Sequence, residues 1–183
     1  RSREVPVLLD LSGVNLSLYR KNTALSFLNR YTIDLVKGTV EEVQALIRSQ
    51  KRNRCKEKNI KAEYRDFAIK NKVFLLVESE EYYITDGYSE FYIENNSANL
   101  NKKIELGYVF TALLAIAIGG VDNRREEMVA ILIAVMIFSI GCSLEANKIN
   151  EYYKCGFFKL KELFLDKIKN IDEDMIYDLG KIS

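Results

Sequence analysis

The sequence predicts an α+β chain: a small N-terminal mixed sheet-and-helix domain, a two-helix hydrophobic hairpin, and an amphipathic helical tail. Three observations predict this. Short apolar runs separated by turn residues fill the first half of the chain. Two long segments, Leu106–Val121 and Met128–Leu144, carry no charge over 16 and 17 residues. From Gly156 onward, Phe and Leu residues alternate with lysines at helical spacing. The divisions fall at residues 1–100, 101–155 and 156–183.

In the N-terminal part, Val5–Leu11 (VPVLLDL) is a short apolar run that ends at a Ser12-Gly13 turn. Val14-Asn-Leu-Ser-Leu-Tyr19 alternates apolar and polar residues, which predicts a strand with Val14, Leu16 and Leu18 on one face. Ala24–Val36 is expected to hold another strand. Lys37-Gly38 breaks the pattern. Thr39 then serves as N-cap, with Glu42 completing a capping box. Val40, Val43, Leu46 and Ile47 form the apolar stripe of the helix that follows. Strand, glycine turn and capped helix together resemble the start of a ubiquitin-like β-grasp unit, a likeness of pattern that carries no function.

Arg48–Arg65 is basic, and Lys51, Arg52, Arg54, Lys56 and Lys58 are its candidate contacts to a ligand or to anionic lipid. A solvated helix end explains the same charges. Val73–Val77 reads as a buried strand. Tyr82–Thr85, Asp86-Gly87 and Tyr88–Ile93 read as a hairpin, since Asp-Gly supports the positive φ of a type I′ turn. Asn95–Asn101 is a polar linker. Glu78, Glu80 and Glu81 are expected to guard a strand edge. Asp172-Glu173-Asp174 lacks the spacing of a calcium loop.

The two uncharged segments would make helices of about 24–26 Å, short for a bilayer core of ~30 Å. The second is apolar all round, which is hard to bury in a small domain. A membrane hairpin is therefore expected. Leu113, Ile116, Ile118, Ile131, Ala134 and Phe138 would lie within it, and Asp122, Asn123, Arg124 and Arg125 would form its turn. Asn123 with Glu126 makes a second capping box. Lysines outside the hairpin place both termini in the cytoplasm. The alternative is a cytoplasmic soluble protein with the hairpin in its core or interface.

Composition narrows the function. Lys plus Arg number 27 and Asp plus Glu 26, so no specific nucleic acid is expected as a partner. The absence of histidine removes Ser-His-Asp and Cys-His catalysis. Three scattered cysteines make no zinc site, so no metal and no cofactor are expected. The sequence thus points to a non-enzymatic, membrane-anchored binding or effector protein, with membrane lipid and a protein partner or self-association as its contacts. A soluble partner-binding protein, such as an immunity protein or a viral assembly component, is the alternative.

Overall fold

A computed structural model describes residues 5–50, 59–95, 106–146 and 157–179. Three apolar runs set the architecture: β1 (Leu8–Asp10), β2 (Leu35–Thr39) and β3 (Phe74–Glu78). They lie parallel, with Leu8 opposite Leu35 and Leu35 opposite Phe74. Continuous apolar strands of this kind suit a parallel sheet, where both faces are covered. Helix α1 (Leu18–Arg30) links β1 to β2. Helices α2 (Val40–Gln50) and α3 (Ile60–Asn71) link β2 to β3. Strands β4 (Glu81–Thr85) and β5 (Glu90–Glu94) complete a five-stranded sheet in the order β1-β2-β3-β4-β5, with β4 antiparallel to β3.

This α/β alternation replaces the predicted α+β layout. Residues 14–36 are mainly helix rather than strand. Ser17 caps α1 by accepting from the Arg20 N–H, and Leu16 and Leu18 are exposed. Their alternation with Val14 belongs to a turn and a helix start, so period-two spacing over five residues misled. The Thr39–Glu42 capping box is present: Glu42 Oε2 accepts from the Thr39 N–H at 2.9 Å, and Thr39 Oγ1 from the Glu42 N–H at 3.4 Å. The helix it starts leads toward a parallel strand, not into a β-grasp unit. The Asp86-Gly87 hairpin also stands, but as a four-residue loop. Asp86 Oδ1 accepts from the Tyr88 and Ser89 N–H groups, and Gly87 has φ +95°. A Cβ at Gly87 would collide with Ile69, so both dihedral and space require glycine.

The chain divides into two compact units, 1–92 and 93–183. In the first, α1, α2 and α3 cover one face of the sheet. Val36, Leu75, Val77 and Tyr83 from the strands pack with Ala24, Val43, Leu46, Ile47, Phe67 and Ala68 from the helices. Each large aliphatic buried there contributes about 1.5–3 kcal/mol relative to exposure.

The second unit contains α4 (Gly107–Gly119), α5 (Arg124–Ala146), α6 (Phe157–Lys169) and α7 (Glu173–Leu179). Phe138 of α5 stacks on Phe110 of α4, with ring centres 4.3 Å apart, and meets Phe164 of α6 edge-on at 5.6 Å. Gly141 lets α6 approach α5 closely, for a Cβ there would lie 3.2 Å from Ile168. Ser139 donates to the Glu94 carbonyl, so the one hydroxyl in the middle of α5 is satisfied.

The expected membrane hairpin is corrected here. Among the described residues, no helix is long and apolar enough to cross a membrane. Helix α4 has 13 residues, about 20 Å. Helix α5 finds protein partners on two sides, α4 and α6. Ile118, Ile131, Ala134 and Phe138 are buried, Leu113 is half-buried and Ile116 is exposed. The segment is thus chiefly core, as the alternative reading has it. The turn residues Asp122, Asn123, Arg124 and Arg125 are exposed. Asn123 Oδ1 accepts from the N–H groups of Arg125 and Glu126, while Glu126 reaches back to Asp122.

Candidate active site

In open α/β sheets, ligands bind outside the carboxyl ends of the parallel strands. Each of these three strands places a charged residue at or near that end. Asp10 ends β1, Glu78 ends β3, and Lys37 stands between them on β2, opposite Asp10 in the register. Strand alternation puts Lys37 on the sheet face away from α1–α3, since Val36 packs toward those helices.

Lys37 is 3% exposed, so its charge must be compensated. Its Nζ lies 2.6 Å from Glu78 Oε1 and 3.3 Å from Asp10 Oδ2. Burial opposes the charge on this amine, but the attraction of Glu78 and Asp10 outweighs burial and raises its pKa above 10.5. Lys37 therefore stays protonated and serves as a fixed cation, not a base. Asp10 also holds the turn after β1, accepting from the Ser12 N–H at 3.0 Å and the Ser12 hydroxyl at 2.7 Å.

Glu42 adds a third carboxylate, from the first turn of α2. One oxygen caps Thr39; the other accepts from the Gly13 N–H at 2.7 Å. Gly13 has φ +75°, which suits glycine at that turn. These two backbone donors are thus already satisfied from within. With Asp10, Glu42 and Glu78 against Lys37 and Arg20, whose guanidinium donates to the Ser12 carbonyl, the described residues of this edge carry three negative charges and two positive.

Such an edge attracts cations and would repel a bare phosphate. Among the described residues, no group of three or more His, Cys, Asp or Glu could hold a metal ion alone. A divalent cation would fit only as part of a phosphate complex, held by one or two carboxylates with phosphate oxygens completing its shell.

Comparison with known proteins decides the family. The model of the Hydroxyethylthiazole kinase family matches residues 1–174. The chain belongs to the hydroxyethylthiazole kinase family. It is 23% identical over 189 residues to a hydroxyethylthiazole kinase of Clostridium perfringens, covering 100% of this chain and 71% of that protein. A Streptococcus agalactiae hydroxyethylthiazole kinase is 26% identical over 179 residues, covering 96% and 68%. The structure of a hydroxyethylthiazole kinase protein from Pyrococcus horikoshii OT3 superposes with a TM-score of 0.73 at 22% identity, over 97% of this chain and 65% of that one. This chain therefore spans about two thirds of the length of these relatives.

Membership in a kinase family overturns the expectation of a non-enzymatic, membrane-anchored effector. Absence of histidine excluded too much, because phosphoryl transfer depends chiefly on positioning and charge. The sequence-predicted contacts Lys51, Arg52, Arg54, Lys56 and Lys58 lie outside the described residues. The hairpin and turn residues lie in the second unit. Asp10, Lys37 and Glu78 were missed as a set, and Glu78 is a half-buried ion-pair partner on an inner strand rather than an edge guard. A signal existed: VLLD, LVKGT and FLLVE are three apolar runs, two ending in a carboxylate and the middle one carrying a lysine two residues from its end.

Proposed function

We propose that this chain takes part in phosphoryl transfer to the hydroxyl of a small heterocyclic alcohol, of which hydroxyethylthiazole is the model. The observation that supports this is the cluster of Asp10, Lys37 and Glu78 at the carboxyl edge of β1, β2 and β3. Asp10 and Glu78 are the groups to receive a nucleoside triphosphate carrying its divalent cation. When bound, that cation neutralises charge on the transferring phosphoryl group. Lys37 keeps the two carboxylates apart and oriented, and its fixed charge offsets part of their repulsion.

The test measures ATP binding to the purified chain with and without magnesium, and then phosphorylation of hydroxyethylthiazole. Binding should require magnesium. Asp10→Asn and Glu78→Gln should each weaken it about tenfold, the loss of roughly 1.4 kcal/mol of charge-assisted contact. A folded chain that binds ATP equally well in both variants, or not at all, would remove this edge as the nucleotide site.

A further inference from the structure

We infer that Arg20 meets the phosphate oxygens of the magnesium nucleotide at the carboxyl edge of β1. The inference rests on the phosphoryl-transfer reading and supplies the pole of that site which carboxylates cannot serve.

A magnesium triphosphate presents two signs of charge: the cation on one side and anionic oxygens around the rest of the chain. Asp10 and Glu78 answer the first. Lys37 cannot answer the second, because its buried amine is held 2.6 Å from Glu78 and 3.3 Å from Asp10. The second cation of this edge is Arg20, in the first turn of α1.

Two hydrogen bonds tie Arg20 to Asp10. The Ser12 N–H donates to Asp10 Oδ1 at 3.0 Å, and the Ser12 carbonyl accepts from Arg20 Nη1 at 3.3 Å. The guanidinium also lies against the Gly13 turn, where a Cβ would stand 2.2 Å from Nη1. Both the positive φ of Gly13 and the seat of Arg20 therefore require glycine. The Gly13 N–H in turn donates to Glu42. Carboxylates thus hold the turn on which Arg20 rests, yet among the described residues Arg20 forms no salt bridge. A guanidinium has five N–H donors in a fork that matches two phosphate oxygens, and the Ser12 carbonyl engages one of them.

Helix stability gives no reason for a cation at this position. The first turn of α1 contains no acidic residue, and a positive charge there opposes the helix dipole. There is also room beside the guanidinium. A groove of about 180 Å³ is lined by Asp10, Ser12, Arg20 and Thr23 together with the Tyr19 and Phe27 side chains. Sites for drug-sized molecules run to ~300–1,000 Å³, so this groove takes part of a nucleotide rather than the whole. Metal to Asp10 and oxygens to Arg20 is the orientation that matches both signs of charge.

The test compares two probes on the purified chain, ATP with magnesium and inorganic tripolyphosphate with magnesium, by titration calorimetry. Arg20→Gln should weaken both at least tenfold and by the same factor, since the contact is to phosphate. Arg20→Lys should recover part of the loss, because the charge returns without the fork. The affinity of Arg20→Gln should also depend less on salt than that of the parent chain. Its circular dichroism should be unchanged, as Arg20 is exposed. Two outcomes would overturn the inference while leaving the site: unaltered binding of both probes by Arg20→Gln when Asp10→Asn weakens them, or a loss confined to ATP. Unaltered ATP binding by Asp10→Asn, or none by the parent chain, would remove the underlying site and the inference with it.

Discussion

The two units bury their interiors by different means. In the first, burial includes a charge: Lys37 sits almost out of water and is held by Asp10 and Glu78. In the second, three phenylalanine rings meet in sequence, one pair stacked and the other edge-on, and Gly141 provides room for the approach of α6. A core of rings specifies packing by shape alone. A core that includes an ion triad specifies it by charge and is destabilised sharply when one member goes. Retaining such a triad at the carboxyl edge of a parallel sheet suits chemistry more than stability.

Breaking each centre should have the largest effects. Phe138→Ala should cost about 3–5 kcal/mol, because one ring serves both Phe110 and Phe164. Lys37→Met should cost a similar ~3–5 kcal/mol by leaving two carboxylates facing each other. Chemical denaturation with one probe in each unit checks both. Equal loss at both probes would show that the units unfold together; loss confined to the mutated unit would show independent stability.

Enlarging Gly141 tests the shape-based core more gently. Gly141→Leu should cost about 1–3 kcal/mol, since the neighbouring Ile168 and Phe164 must move. Thermal unfolding measures it, and an unchanged midpoint would mean that α6 can retreat freely.

Alkaline titration separates the two centres by onset, the sign being the same for both. Lys37 has a folded pKa raised above 10.5, so its stabilisation is complete below that value and is lost as pH climbs through the folded pKa. Burial likewise raises the Tyr64 and Tyr83 hydroxyls above 10.0, and they add to the same alkaline loss. In the second unit, burial raises the Cys142 thiol above 9.0, so its loss begins lower. Stability measured from pH 8 to 11 should fall first by the thiol and then by the lysine and tyrosines. A Cys142→Ala variant should lack the first decline.

The smallest expected change is a gain. Lys72 closes α3 with φ +56°, a left-handed conformation that costs a side-chain-bearing residue. Lys72→Gly should add up to about 1 kcal/mol, net of the greater freedom of glycine in the unfolded chain. A fall in melting midpoint would show that Lys72 makes compensating contacts.

What was legible in the sequence was local. Thr39 and Glu42 announced the start of α2, Asp86-Gly87 the hairpin, and Val73–Val77 a buried strand, because each rests on hydrogen bonds or burial within a few residues. Helix α1 was hidden: among its own residues only Ala24 is fully buried, so it shows little apolar stripe, and Ser17 was not recognised as its cap. Helix α3 was hidden by the basic stretch before it, although Tyr64, Phe67 and Ala68 have helical spacing. The site was illegible for a different reason. Asp10, Lys37 and Glu78 are brought together only by parallel pairing across long connections, and that pairing could not be seen once α1 had been read as strand. The hairpin was misread because all-round apolarity in α5 was attributed to lipid, when α4 and α6 supply the surroundings.

Glu42 has a mechanical consequence. Its carboxylate joins Gly13 to the first turn of α2 across 29 residues of sequence. The loop after β1 and the start of α2 therefore move as one piece, and one side chain acts as the clasp between them. Whatever draws Glu42 away frees both ends together, so the carboxyl edge of the sheet has a fastening that can be undone at a single point.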